Sequence, residues 1–133
     1  MANLMDFSTE PGKINILLID DDQWIRDSMA MYFEEGEYRL VVCETAEEGL
    51  DALRNEEYRV VIADYLLPGM DGLEFFKRVR ESHPGLLRIL ITAYGNQKIL
   101  DEAKAMGVEA VIEKPFTVET VKQFLYRLLQ ERG

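Results

Sequence analysis

Apolar residues in this chain fall into short unbroken runs, and the runs are separated by stretches with helical spacing. Ile14 to Ile19 form the first run. Others cover about 39–43, 59–63, 87–92 and 109–113. Runs this short and this continuously apolar read as strands buried on both faces, which is the pattern of a parallel sheet. Between them lie five helices. The first covers about 23–35, with Trp24, Ile25, Met29, Tyr32 and Phe33 at helical spacing. Thr45-Ala46-Glu47-Glu48 is a capping box that opens a second helix, to about Asn55. Asp71 is placed to cap a third, to about Ser82, before the breaker His83-Pro84-Gly85. A fourth covers about 96–106 and stops at Gly107. Thr117 caps the last, to about Gln130, where Val118, Val121, Phe124, Leu125, Leu128 and Leu129 share one face. Five strand–helix repeats with right-handed crossovers predict an α/β fold, a doubly wound parallel sheet in one domain.

The polar residues of interest sit where the apolar runs stop. Asp20, Asp21 and Asp22 follow the first run, and Asp64 follows the third. Thr92 ends the fourth, and Lys114-Pro115 follows the fifth. Doubly wound sheets bind ligands at the carboxyl ends of their strands. Carboxylates, a hydroxyl and an ammonium gathered there suit a divalent metal and a phosphoryl group. Neighbouring carboxylates repel, and a divalent cation relieves the repulsion. Each residue also has a plainer role. Asp64 fits a turn, Asp22 an N-cap, Thr92 an ordinary strand position and Lys114 a solvated surface.

Taken together, Leu17-Leu18-Ile19-Asp20-Asp21-Asp22 with Arg26, Asp64-Tyr65-Leu66-Leu67-Pro68-Gly69-Met70-Asp71-Gly72, Leu90-Ile91-Thr92-Ala93 and Lys114-Pro115-Phe116 resemble the receiver domain of bacterial two-component response regulators. The resemblance covers about 13–131, with 1–12 left as a flexible lead-in. It implies a flavodoxin-like fold with five strands in the order 2-1-3-4-5. It also implies a signalling domain, not a dedicated enzyme, with Asp64 as the phosphorylated residue and Mg²⁺ as the cofactor. Asp20, Asp21, Asp64 and the backbone carbonyl of Leu66 would hold the metal. Thr92, Ala93, Lys114 and Pro115 would bind the phosphoryl group and switch, and the Lys114–Pro115 peptide is cis in many relatives. Leu66, Tyr94 and Val111 occupy tuning positions. Relatives often carry an aromatic residue where Val111 stands, and Val cannot sweep the same volume. The implied partner is a sensor histidine kinase or a histidine phosphotransfer protein. An effector or a second copy would dock on the last two helices and strand five. Trp24 is expected as a partly buried helix residue or beside the metal.

Charge narrows the remaining classes. Fifteen basic against twenty-five acidic side chains give a net charge of −10. That balance argues against nucleic acid, whose binding needs a basic surface, and against anionic membranes. No apolar stretch approaches the roughly 20 residues of a membrane span. The single cysteine, Cys43, is expected to pack as a small hydrophobe, and a reducing cytoplasm fits it. A nucleotide or flavin binder on the same fold is the alternative. It would need a Gly- or Ser/Thr-rich phosphate loop after the first strand, where this chain has three aspartates. An aspartate-nucleophile phosphatase would carry Asp-x-Asp after its first strand, and Asp64 is instead followed by Tyr65-Leu66. A degenerate receiver would lack part of the residue set.

Overall fold

The five apolar runs pair side by side and helices cover both faces of the sheet they form. A computed structural model describes residues 12–33 and 36–132. Apart from Gly12, the lead-in lies outside them. In chain order the elements are β1 (Ile14–Ile19), α1 (Gln23–Tyr32), β2 (Tyr38–Cys43), α2 (Ala46–Asn55) and β3 (Val60–Asp64). They continue with α3 (Gly72–Ser82), β4 (Leu87–Thr92), α4 (Gln97–Ala105), β5 (Ala110–Glu113) and α5 (Val118–Arg132). All pairs are parallel and the strand order is β2-β1-β3-β4-β5.

Alternate side chains of each strand go to opposite faces. Leu17, Ile19, Val61, Ala63 and Leu90 pack under α2, α3 and α4, against Phe75, Phe76, Val79, Ile99 and Ala103. Ile16, Leu18, Val60, Ile62, Ile89 and Ile91 pack under α1 and α5, against Met29, Val121, Leu125 and Leu128. Both sets are buried, which is why the strands read as continuous apolar runs. Each Val, Leu, Ile, Phe or Met among them contributes about 1.5–3 kcal/mol by leaving water, so the three central strands carry most of the core.

The caps follow the sequence closely. Asp22 accepts from Trp24 N at 2.9 Å and opens α1. Thr45 and Glu48 form the full capping box of α2. Asp71 accepts from Glu74 N at 2.8 Å, and Thr117 from Thr120 N at 3.1 Å. Gly107 ends α4 with a φ of 77°, a conformation that costs glycine least. The first helix is shorter than its periodicity predicts. It ends at Tyr32, Phe33 closes it through a bond to Met29 O, and residues 34–35 lie outside the described ones. The third strand is displaced by one residue. It begins at Val60 and includes Asp64, because Tyr65 N donates to Ile91 O at 2.8 Å and prolongs the ladder.

Register then assembles the polar residues. Ile19 lies opposite Ala63, so Asp20 and Asp64 come next on adjacent strands. Asp64 lies opposite Ile91, one residue before Thr92. Thr92 lies opposite Glu113, one residue before Lys114.

Gly72 secures the end of β3. A Cβ there would lie 2.4 Å from the backbone oxygen of Asp64, a contact that helix propensity cannot offset. Gly72→Ala is therefore expected to lower stability by about 1–3 kcal/mol in urea denaturation. Gly85→Ala, where a Cβ meets nothing within 4 Å, should shift it by about 0.5 kcal/mol or less.

Candidate functional site

At the carboxyl edge of the sheet, Asp20, Asp21 and Asp64 offer carboxylate oxygens within 4.8 Å of one another. Asp20 is fully buried and Asp64 nearly so, while Asp21 is exposed. Asp20 Oδ1 accepts from Asp22 N at 2.8 Å. Its other oxygen, Oδ2, is buried without a hydrogen-bond partner and lies 3.6 Å from Lys114 Nζ. Burial pushes the Asp20 carboxyl up from the ordinary 3.8 to about 6. The Asp22 N–H opposes that rise, the Asp64 and Asp21 charges add to it, and Lys114 offsets part of it.

Lys114 Nζ donates to Asp64 Oδ2 at 2.6 Å. Burial pulls its ammonium down, but the Asp64 hydrogen bond and the fields of both aspartates outweigh burial, and the net shift is upward. Its backbone N–H donates to Thr92 O at 2.9 Å, and the Lys114–Pro115 peptide is cis. Asp64 Oδ1 accepts from Leu66 N at 3.3 Å. Thr92 is fully buried, and its Oγ1 accepts from Tyr94 N at 2.9 Å. That leaves its hydroxyl hydrogen for another acceptor. Asp21, Asp22, Asp64, Leu66, Ala93 and Lys114 line a cavity of about 420 Å³.

Three carboxylates against one ammonium leave the cluster with an excess of acidic groups. With the orphaned Asp20 Oδ2, they make a donor set for a hard divalent cation.

Residues 16–126 match the family model for the response regulator receiver domain. The chain belongs to that family. It is 29% identical over 114 residues to sporulation initiation phosphotransferase F of Bacillus subtilis, covering 86% of this chain and 92% of that protein. It is 31% identical over 104 residues to the transcriptional regulatory protein FixJ of Bradyrhizobium diazoefficiens, covering 78% of this chain and 51% of FixJ. Against a cyclic di-GMP phosphodiesterase of Thermotoga maritima, this chain spans only 32% of the relative's length. Among solved structures, a CheY-like receiver domain protein of Methanospirillum hungatei superposes with a TM-score of 0.85 at 29% identity. That match covers 90% of this chain and 95% of the other. Receiver domains are signalling domains of two-component systems. They use Mg²⁺ and interact with histidine kinases or phosphotransfer proteins. The family assignment disfavours the flavin- or nucleotide-binding alternative.

Other expectations meet the structure less directly. Trp24 is neither partly buried nor among the acids. It is 78% exposed and borders a neighbouring cavity with Ile25, Met29, Phe116 and Val118, which shares Asp22 and Lys114 with the acid site. Pro115 lines that cavity too. Cys43 packs half-buried against the core, and burial pushes its thiol up to about 11. Val111 packs against the cluster that holds Ile99 and Ala103. Leu66 and Tyr94 are 53% and 52% exposed. Arg26, whose role the sequence left open, donates from Nη1 to the backbone oxygen of Asp20 at 2.9 Å. No residue pattern signals a side chain that reaches back six positions to a carbonyl. Among the described residues, no helix is long and apolar enough to cross a membrane.

The Asp20 shift gives stability a pH dependence with a definite sign. Between pH 3.8 and about 6 the folded protein holds a proton that the unfolded chain has released. Stability therefore falls as pH rises through that window. Without Mg²⁺ at pH 7, Asp20→Asn should raise unfolding free energy by about 1–3 kcal/mol. The gain should vanish near pH 4, and Mg²⁺ should stabilise the parent more than the variant. Urea melts at the two pH values, with and without Mg²⁺, measure all three effects.

Proposed function

We propose that this receiver domain takes a phosphoryl group from a phosphohistidine onto Asp64 and signals by a shift in conformation. The observation that carries this reading is the ammonium of Lys114 at 2.6 Å from Asp64, inside a cluster of three carboxylates. The phosphorus–nitrogen bond of the donor breaks, an Asp64 oxygen forms the new bond, and the released imidazole takes up a proton. When bound by Asp20, Asp21, Asp64 and the Leu66 carbonyl, Mg²⁺ would neutralise charge on the transferring group. Lys114 leaves Asp64 Oδ2 for a phosphoryl oxygen. The Thr92 hydroxyl donates to another, and Ala93 and Pro115 move with the loops that carry these two residues. Val111 is too small to follow as an aromatic residue would, so the shift passes through Thr92 and its loop. Asp64 regains its free carboxylate by hydrolysis.

A histidine kinase or histidine phosphotransfer protein supplies the phosphoryl group. An effector or a second copy docks on α4, β5 and α5, where Leu100 and Tyr126 are exposed. A cytoplasmic location fits the unpaired, half-buried Cys43. The acidic surface fits a partner other than nucleic acid.

Incubation with Mg²⁺ and a small phosphodonor should add one phosphate by mass spectrometry. The addition should be absent from Asp64→Asn and from samples with chelator. An Asp64→Asn protein that still gains the phosphate would overturn the assignment. Leu66 lines the cavity with a side chain that cannot hydrogen-bond a water, and the bulky Tyr94 stands two residues past Thr92. Hydrolysis is accordingly slow. Leu66→Asn should shorten the phosphoprotein lifetime several-fold, followed by phosphate release; an equal or longer lifetime contradicts the role given to Leu66.

A further inference from the structure

Arg26 lies outside the acid cluster yet holds the loop that carries it. Its side chain is only 17% exposed. Nη1 donates to the backbone oxygen of Asp20 at 2.9 Å, and Nη2 lies 3.8 Å from Glu44 Oε2. The Asp20 oxygen belongs to the peptide that joins Asp20 to Asp21. The orientation of that peptide sets where the Asp21 side chain leaves the backbone. Asp20 has further fixed points. Its N–H donates to Cys43 O at 3.1 Å, and its Oδ1 accepts from Asp22 N at 2.8 Å. Asp21 is exposed, and no side chain among the described residues holds its carboxylate. Its direction therefore depends on the peptide that Arg26 grips.

The other end of the guanidinium faces the segment that opens α2. Glu44 precedes the N-cap of α2, and its N–H donates to Glu48 Oε1 at 2.9 Å. Thr45 N donates to the same oxygen at 3.0 Å. The capping box thus fixes the chain at Glu44, and Arg26 faces its carboxylate as an ion pair at 3.8 Å, longer than a hydrogen bond. A planar fork with several donors can span two acceptors in this way, whereas a lysine supplies a point charge and a shorter reach.

We propose that Arg26 is a positioning residue for the acid pair, holding the Asp20–Asp21 peptide so that both carboxylates point toward one divalent cation. The role rests on the receiver reading, in which Asp20 and Asp21 hold Mg²⁺. Positioning and simple charge have opposite consequences. By charge alone, Arg26 repels a cation, and removing it would tighten Mg²⁺ binding. As a holder of the ligand loop, its loss weakens binding, by about tenfold for a residue that orients metal ligands.

Arg26→Met keeps most of the apolar stem and removes the charge and the donors. Arg26→Lys keeps the charge but replaces the planar fork with a single ammonium and serves as the second variant. Mg²⁺ would be titrated into each purified protein, followed by Trp24 fluorescence and by the Mg²⁺-dependent rise in melting temperature. Urea melts without Mg²⁺ would report the fold. The expected result is about tenfold weaker Mg²⁺ binding in Arg26→Met, partly restored in Arg26→Lys. Unchanged or tighter binding in Arg26→Met overturns the proposal. If Arg26→Met does not fold, Arg26→Lys decides: weaker binding than the parent supports the proposal, and parental binding overturns it. A parent protein that shows no Mg²⁺ response in either readout would instead count against the receiver reading.

Discussion

Mutual repulsion of carboxylates at the carboxyl edge of a parallel sheet is the constraint around which this molecule is built. Asp20 and Asp64 are both buried, and Asp21 lies close enough to share a ligand with them. Separating them would relieve the repulsion, but the register of β1 on β3 does not allow it. Slipping one residue would exchange the residues of the two apolar layers, moving Leu17 and Ile19 under α1 and α5 and Ile16 and Leu18 under α2, α3 and α4, where the packing partners differ. The apolar core thus holds charges together that would otherwise disperse. Lys114 neutralises part of the cluster, through a contact of 2.6 Å to Asp64 and a longer one of 3.6 Å to Asp20. The negative charge that remains uncompensated suits the site to a divalent cation.

In the proposed function, that repulsion is also the means of signalling. A group that adds charge beside Asp64 changes what Lys114 and Thr92 prefer to bind. Thr92 is buried and tied through its Oγ1 to Tyr94 N, so its reorientation disturbs the loop before α4. Gly95 in that loop is packed against the carboxylate of Glu113, the residue before Lys114. The loop after β4 is therefore in contact with the end of β5 beside the site. A two-state shift needs such a link between a local charge and a packed element.

Much of this was legible in the residue pattern. The strand runs were readable because both faces are covered, so no alternation obscured them. Caps at Asp22, Thr45, Asp71 and Thr117 were readable because capping is a local hydrogen bond between neighbours. The shortened α1 and the shifted β3 were less so. The end of β3 depends on a bond to another strand, the pairing of Tyr65 N with Ile91 O. Trp24 illustrates the limit. Helical spacing suits it to either face of α1, and only packing by α5 and the Phe116 segment determined that it borders a surface cavity.

Composition and order alone determined that this chain makes a parallel α/β sheet with acids, a hydroxyl and a lysine at its strand ends. These are properties of single residues and near neighbours, and they survive without knowledge of distance. Tertiary structure decided the rest. It set which carboxylate is buried and resists ionisation, that Lys114 binds Asp64 more closely than Asp20, and that Gly72 sits against the Asp64 backbone. It also brought Arg26 to the Asp20 carbonyl. Each of those outcomes depends on burial or on a contact across the sheet edge, and neither is encoded in the spacing of residues along the chain.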